Sequence, residues 1–92
     1  GMMASYYEIL RTLSEWLIKK GLKRDDTQKY ITELFLALSE DAVINSKKDL
    51  KYLVKESQTP KGLNEQGIKE MKKRFVYKSI INTLNSINKR LK

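Results

Sequence analysis

The chain contains no cysteine and no histidine among its 92 residues. Without cysteine there are neither disulfides nor thiolate metal sites. Without histidine the commonest general base and the commonest metal ligand are both missing. Catalysis by these residues alone would fall to carboxylates, lysines or tyrosines, and no close carboxylate pair sits in an apolar setting. A self-contained catalyst is therefore not expected, and no metal site is expected either. Long apolar runs are also absent. Nothing approaches the ~20 residues that span a bilayer, and no secretory leader opens the sequence. The expectation is a soluble, cytoplasmic protein without membrane contact. Gly1 ahead of Met2 reads as a cloning remnant, so residues 1–3 read as a leader and residues 4–92 as one small domain.

What is abundant is positive charge, and it is unevenly placed. The formal net charge is +8. Residues 1–44 carry six basic and seven acidic side chains, whereas residues 45–92 carry thirteen and four. A basic half raises a polyanion such as nucleic acid as a partner, against the ordinary alternative of a solvated lysine-rich surface.

The apolar pattern is helical throughout. From about Ala4 to Lys20, Tyr6, Ile9, Leu10, Leu13, Trp16 and Leu17 recur at spacings of three and four, the wide apolar face of an amphipathic helix. Gly21 after Lys19 and Lys20 is a helix stop. Asp25 and Asp26 open a second helix that runs to about Ile44 or Asn45. Its middle, Leu34 to Leu38, is apolar almost all round, with Tyr30, Ile31, Ala42 and Val43 adding to it. A helix greasy on every side is buried on every side. In a domain this small, one face is expected to meet another chain. Ser46 with Asp49 reads as a capping box for a short third helix carrying Leu50, Leu53 and Val54. A fourth helix is expected from Asn64, with Gly67 inside it marking either weak helix or a close contact. The last helix aligns Tyr77, Ile80, Leu84, Ile87 and Leu91 at alternating spacings of three and four, a helix-pairing seam. No strand alternation, internal repeat or low-complexity tract is present. The fold class is all-α, about five helices in one domain.

The stretch Glu56–Gln66 holds the single proline. Pro60 forbids helix across Thr59, and Gly62 permits a sharp turn or a close backbone approach. Asn64 is a good helix N-cap, and the free amides after it suit a carboxylate or phosphate. The plainer reading of the same corner is a helix–turn–helix connection with no ligand, and spacing alone leaves both open.

The helix order around Thr59-Pro60-Lys61-Gly62-Leu63-Asn64, with Arg74-Phe75 before the last helix, resembles the C-terminal dimerisation domain of pyrroline-5-carboxylate reductase and its paralogues over nearly the whole chain. That family has a Ser/Thr-Pro-Gly-Gly-Thr-Thr loop, and a Gly-Phe pair ahead of the last helix. The resemblance implies an interlocked helical domain like the C-terminal domain of 6-phosphogluconate dehydrogenase. It implies a homodimer, and a parent enzyme that reduces the C=N bond of pyrroline-5-carboxylate to proline with NAD(P)H. The cofactor would be held mainly by a Rossmann domain. No glycine-rich dinucleotide fingerprint or βαβ pattern occurs in these residues, so the chain alone is expected to bind no cofactor and show no activity. Carried over by position, Thr59 and Pro60 lie on the cofactor side. Gly62, Leu63 and Asn64 receive the substrate carboxylate, and Asn64 stands where the family places a threonine hydroxyl near the ring nitrogen. That makes Asn64 the catalytic candidate. Lys61 replaces the first glycine of the pair: it would be strained if the backbone there needs a positive φ, and its charge could serve an anionic substrate or a cofactor phosphate. The alternative function is a small basic helical module for nucleic acid, drawing on Lys69, Lys72, Lys73, Arg74 and Lys78. Against it, aromatic residues are not interleaved with the basic ones and no recognition-helix pattern is evident.

Overall fold

The computed structural model describes all 92 residues. It is helical throughout: α1 (Met3–Lys19), α2 (Arg24–Ile44), α3 (Leu50–Glu56), α4 (Leu63–Lys73) and α5 (Val76–Leu91). The chain divides into two compact units, Gly1–Lys47 and Lys48–Lys92.

The first unit is a hairpin of α1 and α2. α1 starts one residue earlier than its pattern indicated, with the Tyr6 amide bonded to the Met2 carbonyl at 2.9 Å. It ends as expected. Gly21 takes φ 109°, its amide donates to Ile18, and the Leu22 amide reaches back to Leu17. This is the closing turn that only a residue without a Cβ adopts freely. The hairpin core consists of Leu10, Ser14, Thr27 and Ile31, all buried. Small side chains at two of the four positions let the helices approach closely. The Thr27 hydroxyl is satisfied by the Lys23 carbonyl at 2.7 Å. An edge-on contact between Tyr6 and Phe35 (6.4 Å between ring centres) and an ion pair of Arg24 with Glu15 (2.8 Å) flank the core.

The second unit holds α3, the proline loop, α4 and α5. Here Asp49 itself is the N-cap of α3, its carboxylate accepting from the Lys51 amide at 2.8 Å. The expected Ser46 cap is overturned, because the chain between Ser46 and Asp49 is a turn and not yet helix. α4 and α5 pack against each other. The joint between them is sharp: Phe75 adopts φ 61°, so the helix stops at Arg74 and restarts at Val76.

The wide apolar faces of the sequence are only partly used. In α1, Ile9, Leu13 and Trp16 remain exposed, and in α2 so do Leu34, Leu36, Leu38, Val43 and Ile44. The expectation that α2 is buried on every side therefore fails within one chain. Only its Thr27–Ile31 side is covered, because α1 alone cannot wrap a helix that is apolar all round. Space for a Cβ at Gly67 is open, so no close contact explains that glycine within the chain.

The total accessible surface is 8527 Å². Two separate compact bodies of about 5.4 kDa each would expose about 6,700 Å² together by the usual size scaling. The excess, roughly 1,800 Å², is more than twice the ~800 Å² that each partner contributes to a standard protein interface.

Candidate functional site: the Thr59–Asn64 loop

The loop is built from a tight turn and two side-chain staples. α3 closes at Ser57, whose hydroxyl donates to the Leu53 carbonyl (2.7 Å), while the Gln58 side chain donates to the Val54 carbonyl (3.0 Å). The chain then reverses over Thr59-Pro60-Lys61-Gly62, closed by the Gly62 amide on the Thr59 carbonyl at 2.8 Å. Proline suits the second position of such a turn. The third takes a positive φ and is normally glycine. Here that third residue is Lys61, with φ 62°. The conditional expectation of strain at Lys61 is thus realised.

Gly62 is needed for a different reason. Its φ of −85° is open to any residue. A Cβ there, however, would stand 3.0 Å from the Thr59 carbonyl oxygen and 3.2 Å from the Thr59 hydroxyl. Of the two roles the sequence allowed, close approach is the one observed.

The N-cap of α4 is Gly62, not Asn64, which lies inside the first turn. The Asn64 side chain is occupied elsewhere: its amide donates to the Ser57 carbonyl at 2.8 Å, tying the start of α4 to the end of α3. Asn64 does not cap the helix because it lies within it, and the earlier cap at Gly62 follows from the turn that precedes it. The Gly62 amide, one of three assigned to a substrate carboxylate, is spent on closing that turn. The amides of Leu63 and Asn64 have no acceptor in the chain, as befits the first turn of a helix.

Glu65 is a part of the loop that the pattern reading passed over. Its carboxylate accepts from the Lys61 amide and from the Lys69 ammonium, each at 3.2 Å. The Lys69 contact, followed by the Lys61 amide, holds the Glu65 carboxyl below its ordinary range. The spacing of Glu65 and Lys69 was the available signal, since residues four apart on a helix are neighbours.

Two depressions on the second unit divide some of the candidate residues between them. An open groove of about 880 Å³ runs along the second unit beside Tyr52, Val54, Lys55, Pro60 and Glu65. Of the loop candidates Thr59 to Asn64 only Pro60 lines it, together with Lys72 from the alternative nucleic-acid set. Leu63 lines a separate depression of about 320 Å³ with Gly67, Met71 and Arg74. The other shifted groups, Glu8 and Arg11 with each other and Glu15 with Arg24, belong to ion pairs in the first unit. No group of three or more His, Cys, Asp or Glu residues is gathered anywhere in the structure, and no helix is long and apolar enough to cross a membrane. What the loop offers chemically is a pair of free amides at the positive end of a helix, with lysines nearby. Free amides at a helix N-terminus are donors of the kind that favour an anion.

A family model described as pyrroline-5-carboxylate reductase dimerisation matches residues 1–92, the entire chain. No curated protein and no solved structure matches it.

Proposed function

The chain belongs to the pyrroline-5-carboxylate reductase dimerisation family, and we propose that it works as the dimerisation and substrate-loop part of an NAD(P)H-dependent oxidoreductase that reduces a cyclic imine to proline. The observation that carries the dimer is the roughly 1,800 Å² of surface beyond what two compact bodies of this size expose, much of it apolar side chain on α1, α2 and α5. A homodimer through these helices would bury it. The free Leu63 and Asn64 amides would take the imine's carboxylate, aided by the dipole of the eleven-residue α4. In this reading the Asn64 amide group serves the loop by holding Ser57 and lends the site its backbone N–H. The catalytic role of a ring-nitrogen donor at Asn64 would require its side chain to leave Ser57. Thr59 and Pro60 would face the cofactor, and Lys61 would supply charge at its edge. The cofactor would belong to a Rossmann domain, because no group here can carry a hydride.

Sedimentation of the chain in moderate and in high salt tests the first half of this proposal. A dimer that persists at high salt is the expected result, and a monomer at tens of micromolar would overturn the dimer reading. Titration with proline, as the ring carboxylate, followed by amide NMR tests the second half. Leu63 and Asn64 should shift first, and unchanged signals there in the dimer would remove the loop from the substrate site.

A further inference from the structure

α2 carries a line of carboxylates on the face that the hairpin leaves open. Asp26, Glu33 and Glu40 recur every seven residues. Seven residues make nearly two turns of helix, so the three lie on one flank about 10 Å apart. Their neighbours at spacings of three and four are apolar and uncovered: Leu36 (59 % exposed), Val43 (71 %) and Ile44 (82 %). None of the three carboxylates makes an ion pair with any basic group. Arg24 is bonded to Glu15, and Lys29 offsets one charge at the Asp26–Glu33 end without forming an ion pair, so the flank stays acidic on balance, most clearly at Glu40.

α5 shows the complementary arrangement. Tyr77, Ile81, Leu84 and Leu91 are exposed along it. Lys78 and Lys89 lie eleven residues apart, three turns of helix, and so stand on one flank beside that stripe. Neither takes part in an ion pair, whereas Lys69 on α4 and Arg74 at its C-cap are each held by a glutamate of α4. A charged flank beside an uncovered apolar stripe is the pattern by which paired helices choose partner and orientation.

We propose that the acidic flank of α2 docks against the basic flank of α5 from a second copy of the chain, reciprocally across a two-fold axis. The pairing rests on the dimer reading above and adds to it the surfaces that meet and the charges that set their register. The second copy is the occupant because the two stripes are opposite in charge on the same sequence, similar in length and both uncovered. The surplus surface per chain is also of the size that an obligate dimer removes from water. The uneven charge of the two halves then has a use, each half finding its complement in the other copy.

The experiment uses reciprocal charge reversal. One variant carries Glu33→Lys and Glu40→Lys, the other Lys78→Glu and Lys89→Glu, with helicity checked by far-UV circular dichroism. Each variant alone should dimerise at least tenfold more weakly than the wild type. An equimolar mixture should recover wild-type affinity to within about threefold, because in the mixed dimer both α2–α5 contacts again join opposite charges. Wild-type affinity in either variant alone overturns the pairing, and so does a mixture that fails to recover, which would place these charges at separate surfaces or within one chain. Should the reversed chains lose helicity, the neutral Glu33→Gln/Glu40→Gln chain decides. A dimer whose affinity falls less with salt than the wild type's supports the pairing, and an unchanged salt dependence refutes it. A wild-type chain that is monomeric refutes the dimer reading itself, which separates the two failures.

Discussion

Replacing Lys61 with glycine should stabilise the protein, and the size of the gain follows from the backbone alone. Lys61 sits at φ 62° in the third position of the proline turn. An L-residue with a Cβ costs roughly 1–2 kcal/mol in the left-handed region, a cost glycine does not bear. Glycine gives back about 0.4–1 kcal/mol through the larger entropy of the unfolded chain. The Lys61 amide keeps its bond to Glu65, which is a backbone contact, and no side-chain contact of Lys61 is lost from an ion pair. The net is a gain of about 0–1.6 kcal/mol, centred near 0.8, and that central value raises the Tm of a domain near this size by about 3–6 °C. Thermal unfolding by circular dichroism, at one fixed protein concentration because assembly shifts Tm, measures it. Lys61→Ala is the control that isolates the cause: it removes the charge and the long side chain but keeps the Cβ, and should leave Tm almost unchanged. Equal stabilisation by alanine and glycine would refute backbone strain as the source, and so would destabilisation by glycine.

Gly62→Ala should act in the opposite direction despite its ordinary φ. The new Cβ meets the Thr59 carbonyl at 3.0 Å, and alanine is a poorer N-cap than glycine by roughly 1 kcal/mol. A loss of about 1 kcal/mol or more in chemical denaturation is expected, and a neutral result would mean that the turn relaxes freely. Glu65 should titrate below an ordinary carboxyl, because Lys69 and the Lys61 amide favour its charged form. Its contribution to stability is then fully present above the pH at which the unfolded glutamate titrates. It is lost as pH falls through the lower folded-state value. Carboxyl-carbon NMR across the acid range should show Lys69→Ala returning Glu65 toward the ordinary range, and an unmoved titration would assign the shift to another cause.

Much of this fold is legible before any coordinate is known, since a helical period of apolar residues and a glycine after two lysines leave little choice at α1. The errors fall where two residues compete for one job. Asn64 is the better N-cap by composition, yet the turn closed by Thr59 and Gly62 starts the helix earlier and frees the Asn64 side chain to hold Ser57. Ser46 loses to Asp49 in the same way. Caps are decided by where the preceding chain delivers the backbone, which residue type alone does not specify. Phe75 is a different case, because the resemblance already places a joint at Arg74-Phe75 and only its backbone conformation was not legible. A bulky residue at φ 61° is disfavoured locally, and the composition of Arg74-Phe75 does not by itself announce a left-handed turn. The left-handed turn at Lys61 was legible only as a condition, through the glycine that the related loop carries there.

Burial is the property that the pattern could not assign, and the reason is physical. Periodicity reports that a face must leave water, not which surface will cover it. Within the chain only two apolar side chains, Leu10 and Ile31, are buried. Each contributes about 1.5–3 kcal/mol at best, while ordering a backbone costs about 1–2 kcal/mol for every residue. A hairpin with so small a core is not held by its own contacts. Covering the uncovered apolar faces in a dimer would add to that core, so stability is expected to rise with protein concentration. That coupling also bears on the loop. The turn keeps a strained Lys61 and a close-packed Gly62 on a unit whose helices expose Tyr77, Ile81 and Leu84. Strained geometry persists only where the surroundings over-determine it. In the proposed dimer, cover over α5 would stiffen the unit that carries this loop, so the proposed anion site and the proposed dimer would form together.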